Sequence, residues 1–247
     1  MALEDYRSAL VTGASSGIGA AVVAALAGRG LTVHAAARRK DRLDALAAET
    51  GCVPVVLDVR DTQAIYRRLA GLPVDIVINN AGLGRGFDAL FKVSPEDIDA
   101  TLETNVLAAA HVLRAVVPGM VERTRGHIVN IGSIAGLYPI KSSIYGASKG
   151  AVHLLTQNLR IELQGSGVRV TEICPGRVKT EFFDVALGDP EATRKAYGGF
   201  EVLVPADVAD AILYALDAPW RVNIGRIELT PTEQHVGGVH IAPVSGD

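Results

Sequence analysis

A tyrosine and a lysine four residues apart, Tyr145 and Lys149, form the pair in this sequence best suited to move a proton. In a helix this spacing places both side chains on one face. A phenol with a pKa of about 10 is a poor base at neutral pH, and a nearby ammonium group favours its phenolate form. The pair therefore predicts acid–base chemistry, although an exposed helical pair without any function would have the same spacing.

A serine upstream of this pair could hold a substrate oxygen. Ser133 follows the apolar segment 126–132, which has the composition of a buried strand. Its hydroxyl could bind the substrate oxygen while Tyr145 gives or takes the proton. Ser142 and Ser143 are alternative serines for this role.

A glycine-rich segment, 12–19, lies between the first apolar run and the first helical pattern, where a phosphate-binding loop is expected. Glycine at 13, 17 and 19 permits a tight turn and a close approach of the backbone to a pyrophosphate, while the helix N-terminus offers amide donors. An ordinary flexible turn is the alternative. The segment predicts a bound dinucleotide.

The end of the second predicted strand indicates which dinucleotide is bound. An acidic residue there would bind a ribose 2′-hydroxyl, whereas arginine accommodates a 2′-phosphate. The expected acidic position holds Ala37 and is followed by Arg38. Arg38, supported by Arg39 and Ser15, therefore predicts NADP(H). Alternatively, these arginines begin a solvated surface helix.

The elements that must position these residues alternate between short β-branched runs and longer helical patterns, which is typical of βαβ units. A single domain over 1–247 is expected, an α/β Rossmann fold with a doubly wound parallel sheet of about seven strands. The long segment 177–204 is predicted to be a loop that covers the substrate. Strands are predicted at 8–12, 32–36, 53–58, 76–79, 127–131, 169–174 and 227–229, and helices at 17–28, 41–49, 62–69, 95–122, 145–164 and 206–216.

Charge, hydropathy and cysteine content disfavour several classes of protein. The net charge of -3 over 247 residues argues against nucleic acid and favours a small-molecule partner. The acidic start lacks the features of a signal peptide, and the apolar run 106–120 is too short to span a bilayer, so a cytoplasmic protein without membrane association is expected. The two cysteines, Cys52 and Cys174, should be buried and reduced. The spacing of the histidines indicates no metal site.

Four motifs in order resemble the short-chain dehydrogenase/reductase family, and they span essentially the whole chain. They are the glycine segment 12–19, Asn79-Asn-Ala-Gly82, the Ser133 and Tyr145-Gly-Ala-Ser-Lys149 pair of segments, and Pro175-Gly176. The resemblance implies a hydride-transferring enzyme. This chain differs from many members of the family in one respect: Ser133 precedes Tyr145 by twelve positions, where those relatives have thirteen.

The resemblance also implies roles for further residues. Asn105 would be a fourth catalytic residue that kinks its helix and holds a water linking Lys149 to solvent, although an asparagine there could simply satisfy the local backbone. Lys149 would also bind the nicotinamide ribose, and Asp58 would cap the adenine edge, although it could equally cap a turn. The full set implied for the cofactor is Gly13, Ser15, Ser16, Gly17, Ile18, Gly19, Arg38, Arg39, Asp58, Val59, Asn80, Ala81, Gly82, Tyr145, Lys149, Pro175, Gly176, Val178 and Thr180.

The C-terminal third resembles the branch of the family that oxidises serine and other 3-hydroxy acids with NADP. Its matching segments are 180–183, 188–189, 203–208, 222–224 and 231–234. This implies a small, anionic substrate such as a 3-hydroxy acid, malonic semialdehyde or sulfoacetaldehyde, for which Arg177, Lys141 and Arg85 are candidate cationic partners. A reductase of a sugar, polyol or other ketone, or a non-catalytic NADP(H)-sensing protein, remain alternatives.

The resemblance further implies a homo-oligomer, a dimer or a tetramer. Helices 95–122 and 145–164 would form a four-helix interface between subunits, whereas ordinary packing on the sheet is the alternative. The tail from Gly237 to Asp247 would cross to a neighbouring subunit or be disordered.

Overall fold

Seven parallel strands form the centre of the protein, in the spatial order β3-β2-β1-β4-β5-β6-β7. The structure is a computed structural model, and it describes residues 3–85 and 87–235. The strands are β1 (Ser8–Thr12), β2 (Thr32–Ala37), β3 (Val53–Val56), β4 (Ile76–Asn79), β5 (Gly126–Ile131), β6 (Val168–Pro175) and β7 (Arg226–Leu229). The predicted doubly wound fold is confirmed.

Helices cover both faces of this sheet, which explains why β1, β4, β5 and β6 are almost wholly buried. The helices are α1 (Gly17–Gly28), α2 (Lys40–Thr50), α3 (Thr62–Leu69), α4 (Pro95–Leu102), α5 (Ala108–Glu122), α6 (Ser143–Glu162), α7 (Phe182–Leu187), α8 (Pro190–Tyr197) and α9 (Pro205–Asp217). Side chains of α1, α2 and α9 fill the core on one face. Those of α3 and α5 fill most of the core on the other.

The chain order reverses between β1 and β4. β1 pairs with β2 on one side and with β4 on the other. In parallel α/β sheets a crevice opens at the carboxyl ends of the strands on either side of such a reversal. Thr12 and Asn79 end these two strands, so the glycine segment 12–19 and the segment after β4 meet at this crevice.

Three predicted elements differ from the structure. The predicted helix 95–122 contains a wider π-turn at Glu103–Leu107 that separates α4 from α5. The predicted strand 53–58 ends at Val56. The segment 177–204 holds two short helices, α7 and α8, instead of an irregular loop. Helices this short are stabilised by tertiary contacts, which a local sequence pattern does not reveal.

Other expectations can be compared directly with the structure. Cys52 and Cys174 are buried free thiols. Among the described residues, the helical stretch Pro95–Glu122 is long and apolar enough to cross a membrane by length and composition, and 44% of its apolar window is buried in the fold. The predicted tail 237–247 lies outside the described residues.

Candidate active site

A cavity of about 470 Å³ opens at the carboxyl ends of the strands, where the chain order reverses. Every residue implied for the cofactor lines it except Gly19, which lies beneath the loop. Of the four predicted catalytic residues, the structure brings Ser133, Tyr145 and Lys149 to the cavity wall. Asn105 is not among the lining residues of the described chain.

The glycine loop packs too tightly for side chains. Gly13 has a φ of +66°, and a Cβ there would lie 2.9 Å from the Ala81 Cα. A Cβ at Gly19 would lie 2.4 Å from the Gly13 carbonyl oxygen. The Thr12 hydroxyl accepts hydrogen bonds from the backbone amides of Asn80 and Ala81, both at 3.0 Å. The loop is therefore fixed against the segment after β4, with its backbone open to the cavity.

Arg39 reaches the glycine loop, whereas Arg38 does not. The Arg39 guanidinium donates to the Ser15 hydroxyl at 3.0 Å and to the Ser16 hydroxyl at 2.7 Å. Arg38 is mostly exposed, and its closest acidic partner is Asp58 at 3.9 Å. Both arginines line the cavity, but only Arg39 has a described hydrogen bond to the glycine loop, and which of the two binds a 2′-phosphate stays a prediction.

Two further contacts surround these arginines. Glu181, just before α7, pairs with Arg39 at 2.9 Å and with Arg42 at 2.5 Å. Hydrogen bonds from Arg39 and Arg42 lower the pKa of Glu181. Asp58 accepts a hydrogen bond from the Arg60 amide at 3.0 Å, so it caps its own turn in addition to lining the cavity.

Replacing Arg39 with Ala is expected to lower the preference for NADPH over NADH by about tenfold or more, because a charge-assisted hydrogen bond contributes about 1.5–3 kcal/mol. Arg38→Ala should have a smaller effect. The ratio of kcat/KM for the two cofactors measures this preference. Arg42→Ala is the matched control, since Arg42 contacts Glu181 but makes no bond to Ser15 or Ser16 among the described residues. A larger loss of preference in Arg38→Ala than in Arg39→Ala would contradict this assignment.

Tyr145 and Lys149 lie one turn apart near the start of α6, and both are buried. Burial raises the pKa of Tyr145 to about 12, and hydrogen bonding to Ser133 only partly opposes this shift. Burial lowers the pKa of Lys149 to about 8. Burial is the largest influence on this pKa, and stabilisation of the phenolate form by the Lys149 ammonium stays a prediction. The phenol is therefore held in the protonated form that can donate a proton.

Lys149 is oriented by the end of β5. Its ammonium donates a hydrogen bond to the Ile131 carbonyl at 2.9 Å. A side chain at Gly82 would come within 3.6 Å of the Lys149 Nζ. The absence of a side chain at Gly82 leaves this flank of the ammonium accessible from the cavity.

Ser133 follows β5 and begins a short 3-10 turn, where its hydroxyl accepts a hydrogen bond from the Ala135 amide at 3.1 Å. It hydrogen-bonds to Tyr145. The two alternative serines, Ser142 and Ser143, are absent from the described cavity lining. The structure thus favours Ser133 as the serine beside the phenol despite its shortened spacing.

Asn105 lies in the π-turn between α4 and α5, and only 2% of it is exposed. Its Oδ1 accepts from the Leu83 amide at 2.7 Å, and its Nδ2 donates to the Leu83 carbonyl at 2.8 Å and to the Ser148 hydroxyl at 2.9 Å. The predicted irregularity in this helix is therefore present. In this geometry Asn105 ties the segment after β4 to α6, and the water relay remains a prediction.

Sequence reasoning missed a group of aromatic rings beside the phenol. Phe87 and Phe182 lie 5.4 Å and 5.3 Å from the Tyr145 ring, centroid to centroid. Phe183 lies 6.0 Å from Phe87. Phe182 and Phe183 are adjacent in the segment 177–204, which the sequence predicts to cover the substrate. This pair of rings was the sequence feature that could have indicated an aromatic group at the site.

The three candidate cations for an anionic substrate are placed differently. Arg177 and Arg85 line the cavity, whereas Lys141 is exposed and is not part of the described lining. Arg85 lies 3.9 Å from Asp97. Arg177 is partly buried, and its guanidinium stacks 5.7 Å from the centre of the Phe183 ring.

Comparisons with known proteins agree with this geometry. The family model described as short chain dehydrogenase matches residues 7–189. The chain belongs to this family. The predicted resemblance to this family is thereby confirmed.

Two of three similar proteins carry names of the predicted branch. An uncharacterized short-chain type dehydrogenase/reductase, y4eK of Sinorhizobium fredii, is 43% identical over 98% of both chains. The NADP-dependent 3-hydroxy acid dehydrogenase YdfG of Escherichia coli is 41% identical over 94% of this chain and 98% of its own. The closed form of serine dehydrogenase complexed with NADP+ superposes with a TM-score of 0.91 and 40% identity, covering 96% of this chain and all of that one.

Proposed function

We propose that this chain is an NADP(H)-dependent dehydrogenase/reductase that interconverts a hydroxyl and a carbonyl group on a small acid. The observation that carries the proposal is the meeting of Ser133, Tyr145 and Lys149 in one cavity with the glycine loop. The relatives named for NADP and 3-hydroxy acids, and the serine dehydrogenase structure, support the same conclusion.

The residues of the cavity fit a dinucleotide phosphate. The left-handed glycines at 13 and 17 open the backbone to the cavity, and α1 begins at Gly17. Arg39 with Ser15 offers the donors that a 2′-phosphate needs. When bound, the nicotinamide of NADP(H) supplies or accepts the hydride.

The chain's own residues move the proton. In reduction the Tyr145 hydroxyl donates its proton to the carbonyl oxygen and becomes a phenolate, and in oxidation the phenolate takes the proton of the substrate hydroxyl. The Ser133 hydroxyl hydrogen-bonds to that same oxygen and keeps it within reach of the phenol. The Lys149 ammonium stabilises the phenolate that forms when Tyr145 gives up its proton.

The preferred substrates under this proposal are 3-hydroxy acids, malonic semialdehyde and sulfoacetaldehyde. Arg177 is the cation best placed to bind their anionic group, because it is partly buried at the cavity wall. Sugars, polyols and neutral ketones are the alternative substrates. A protein that only senses NADP(H) is the alternative of another class, but the retained Tyr145 and Lys149 favour catalysis.

Incubation of the protein with NADPH and a panel of carbonyl compounds tests the proposal. We expect loss of NADPH absorbance with malonic semialdehyde and sulfoacetaldehyde, and formation of NADPH from NADP+ with serine. Turnover restricted to sugars or neutral ketones would favour the alternative substrates. Tight NADPH binding without turnover on any compound would contradict the enzymatic proposal.

The surface of α5 and α6 supports a homo-oligomer, and we extend the proposal to a dimer or tetramer in the cytoplasm. Leu154 and Ile161 of α6 are 57% and 66% exposed, and Leu107 before α5 is 54% exposed. Large apolar side chains this exposed are suited to contact with another subunit. A solution mass equal to one chain would contradict the oligomer.

A further inference from the structure

We propose that the substrate pocket is built for hydroxy and oxo acids that carry an aryl or branched apolar group. That group would lie against a ring cluster formed by Phe87, Phe182 and Phe183, and the anionic group would bind Arg177. This inference rests on the proposed function, because it specifies the substrate of the same site.

The ring cluster surrounds one side of the proposed proton donor. Phe87 and Phe182 each contact the Tyr145 ring, at 5.4 Å and 5.3 Å between centroids. Phe183 extends the cluster, at 5.4 Å from Phe182 and 6.0 Å from Phe87. All three rings line the cavity and are partly exposed in it. A flat apolar group bound beside the reacting carbonyl would therefore meet aromatic faces and edges.

Two chain segments build the cluster, and they fit each other closely. Phe87 belongs to the segment after β4, whereas Phe182 and Phe183 belong to α7. A Cβ at Gly84 would lie 2.1 Å from the tip of the Phe182 ring, so this ring occupies the space that a side chain would take. Both segments that flank the cavity therefore contribute rings to the cluster.

Contacts with α8 stabilise the segment that carries Phe182 and Phe183. The Tyr197 hydroxyl of α8 donates to the Thr180 carbonyl at 2.7 Å and accepts from the Thr180 amide at 3.2 Å. The Tyr197 ring also lies 5.3 Å from Phe183. These contacts hold α7 and α8 together, so the phenylalanines are presented on a supported element.

Arg177 provides the charge at the edge of the cluster. Its guanidinium lies 5.7 Å from the Phe183 ring and 5.5 Å from the Phe200 ring. Among the described residues the guanidinium itself donates one hydrogen bond, to the Ala196 carbonyl at 2.6 Å. Burial lowers its pKa, as expected for a partly desolvated cation. No carboxylate of residues 3–85 and 87–235 forms an ion pair with this guanidinium, so an anionic ligand group would supply a counter-charge.

The ring cluster and Arg177 together offer more contacts than the smallest acids can make. Serine or malonic semialdehyde could use Arg177 and the proton donor, but neither carries an apolar group to cover the rings. An aryl or branched acid would bury ring surface and remove it from water. Recognition of an apolar group and of an anion therefore occur side by side at this site.

An unreactive probe tests the inference without any need for turnover. 3-Phenylpropanoate carries the acid and the ring but has no reducible oxygen, and propanoate lacks the ring. Titration calorimetry on the full chain saturated with NADP+ should show about tenfold or more tighter binding of 3-phenylpropanoate. Equal affinities for the two acids would overturn the proposal.

Variants separate the two parts of the pocket. Phe183→Ala should reduce the preference for the aryl probe by about fivefold or more, while Phe183→Leu should retain part of it. Arg177→Gln should weaken both acids by about tenfold, because it removes the charge that they share. Phe91→Ala is the control, since Phe91 is 86% exposed. If Phe183→Ala lost stability but kept the probe preference, the rings would only fill space and the proposal would fail.

The titrations together with turnover assays on the same acids distinguish this proposal from the proposed function. Selective probe binding without turnover on any acid, aryl acids included, would leave the pocket inference standing and contradict the enzymatic function. Turnover of small acids without probe selectivity would support the enzymatic function and overturn the pocket inference. Turnover that is faster on 3-oxo-3-phenylpropanoate than on malonic semialdehyde would support both.

Discussion

Replacing Tyr145 with Phe is expected to lower turnover by about 10³-fold, within the range of general acid–base catalysis. The substitution removes only the hydroxyl that gives or takes the proton. The ring keeps its contacts with Phe87 and Phe182, at 5.4 Å and 5.3 Å. Binding of NADPH should therefore persist, which fluorescence titration can measure alongside steady-state turnover.

Tyr66→Phe is the matched control for this experiment. Tyr66 lies in α3, and its hydroxyl pairs with the His111 ring nitrogen at 3.1 Å, away from the cavity lining. Its loss should leave turnover unchanged. Wild-type activity in Tyr145→Phe would contradict the assignment of Tyr145 as the proton donor.

Replacing Lys149 with Met should lower turnover by about 10²-fold or more and also weaken NADPH binding. Without the ammonium, no positive charge stabilises the phenolate of Tyr145. The same ammonium, which donates to the Ile131 carbonyl at 2.9 Å, is the group predicted to bind the cofactor ribose, so its loss should weaken NADPH binding. Lys141→Met is the control, because Lys141 is an exposed lysine outside the described cavity lining.

The pH dependence provides a second measurement on the same variant. Burial lowers the pKa of Lys149 to about 8, so the free enzyme carries the charged form below this pH and loses it above. The value of kcat/KM for NADPH reports groups of the free enzyme, and it should fall as the pH rises through about 8. Lys149→Met should lack this fall. A decline that persists unchanged in the variant would assign it to another group.

Much of the fold and the central pair of the site can be predicted from the sequence because their signals are local. Buried parallel strands appear as short apolar runs, and the glycine loop needs particular residues at fixed positions. Tyr145 and Lys149 are brought together by one helical turn. These features depend on backbone geometry over a few residues, so the sequence spacing alone is enough to predict them.

Other properties of the site depend on tertiary contacts. Arg38 and Arg39 are neighbours in sequence, and which of them faces Ser15 depends on how α2 leaves the end of β2. The raised pKa of Tyr145 comes from burial, to which several distant segments contribute. The contact of Phe182 with Gly84 joins positions nearly a hundred residues apart. Neither composition nor periodicity reports such contacts.

The proposed reaction is hydride transfer between the nicotinamide of NADPH and a carbonyl compound bound in this cavity. The most direct measurement uses NADPH deuterated at the transferable position of the nicotinamide, with malonic semialdehyde and 3-oxo-3-phenylpropanoate as acceptors, and analyses the products by mass spectrometry. We expect one deuterium on the carbon that bears the new hydroxyl. NADPH that binds but transfers no deuterium to these or to any other carbonyl acceptor would contradict it.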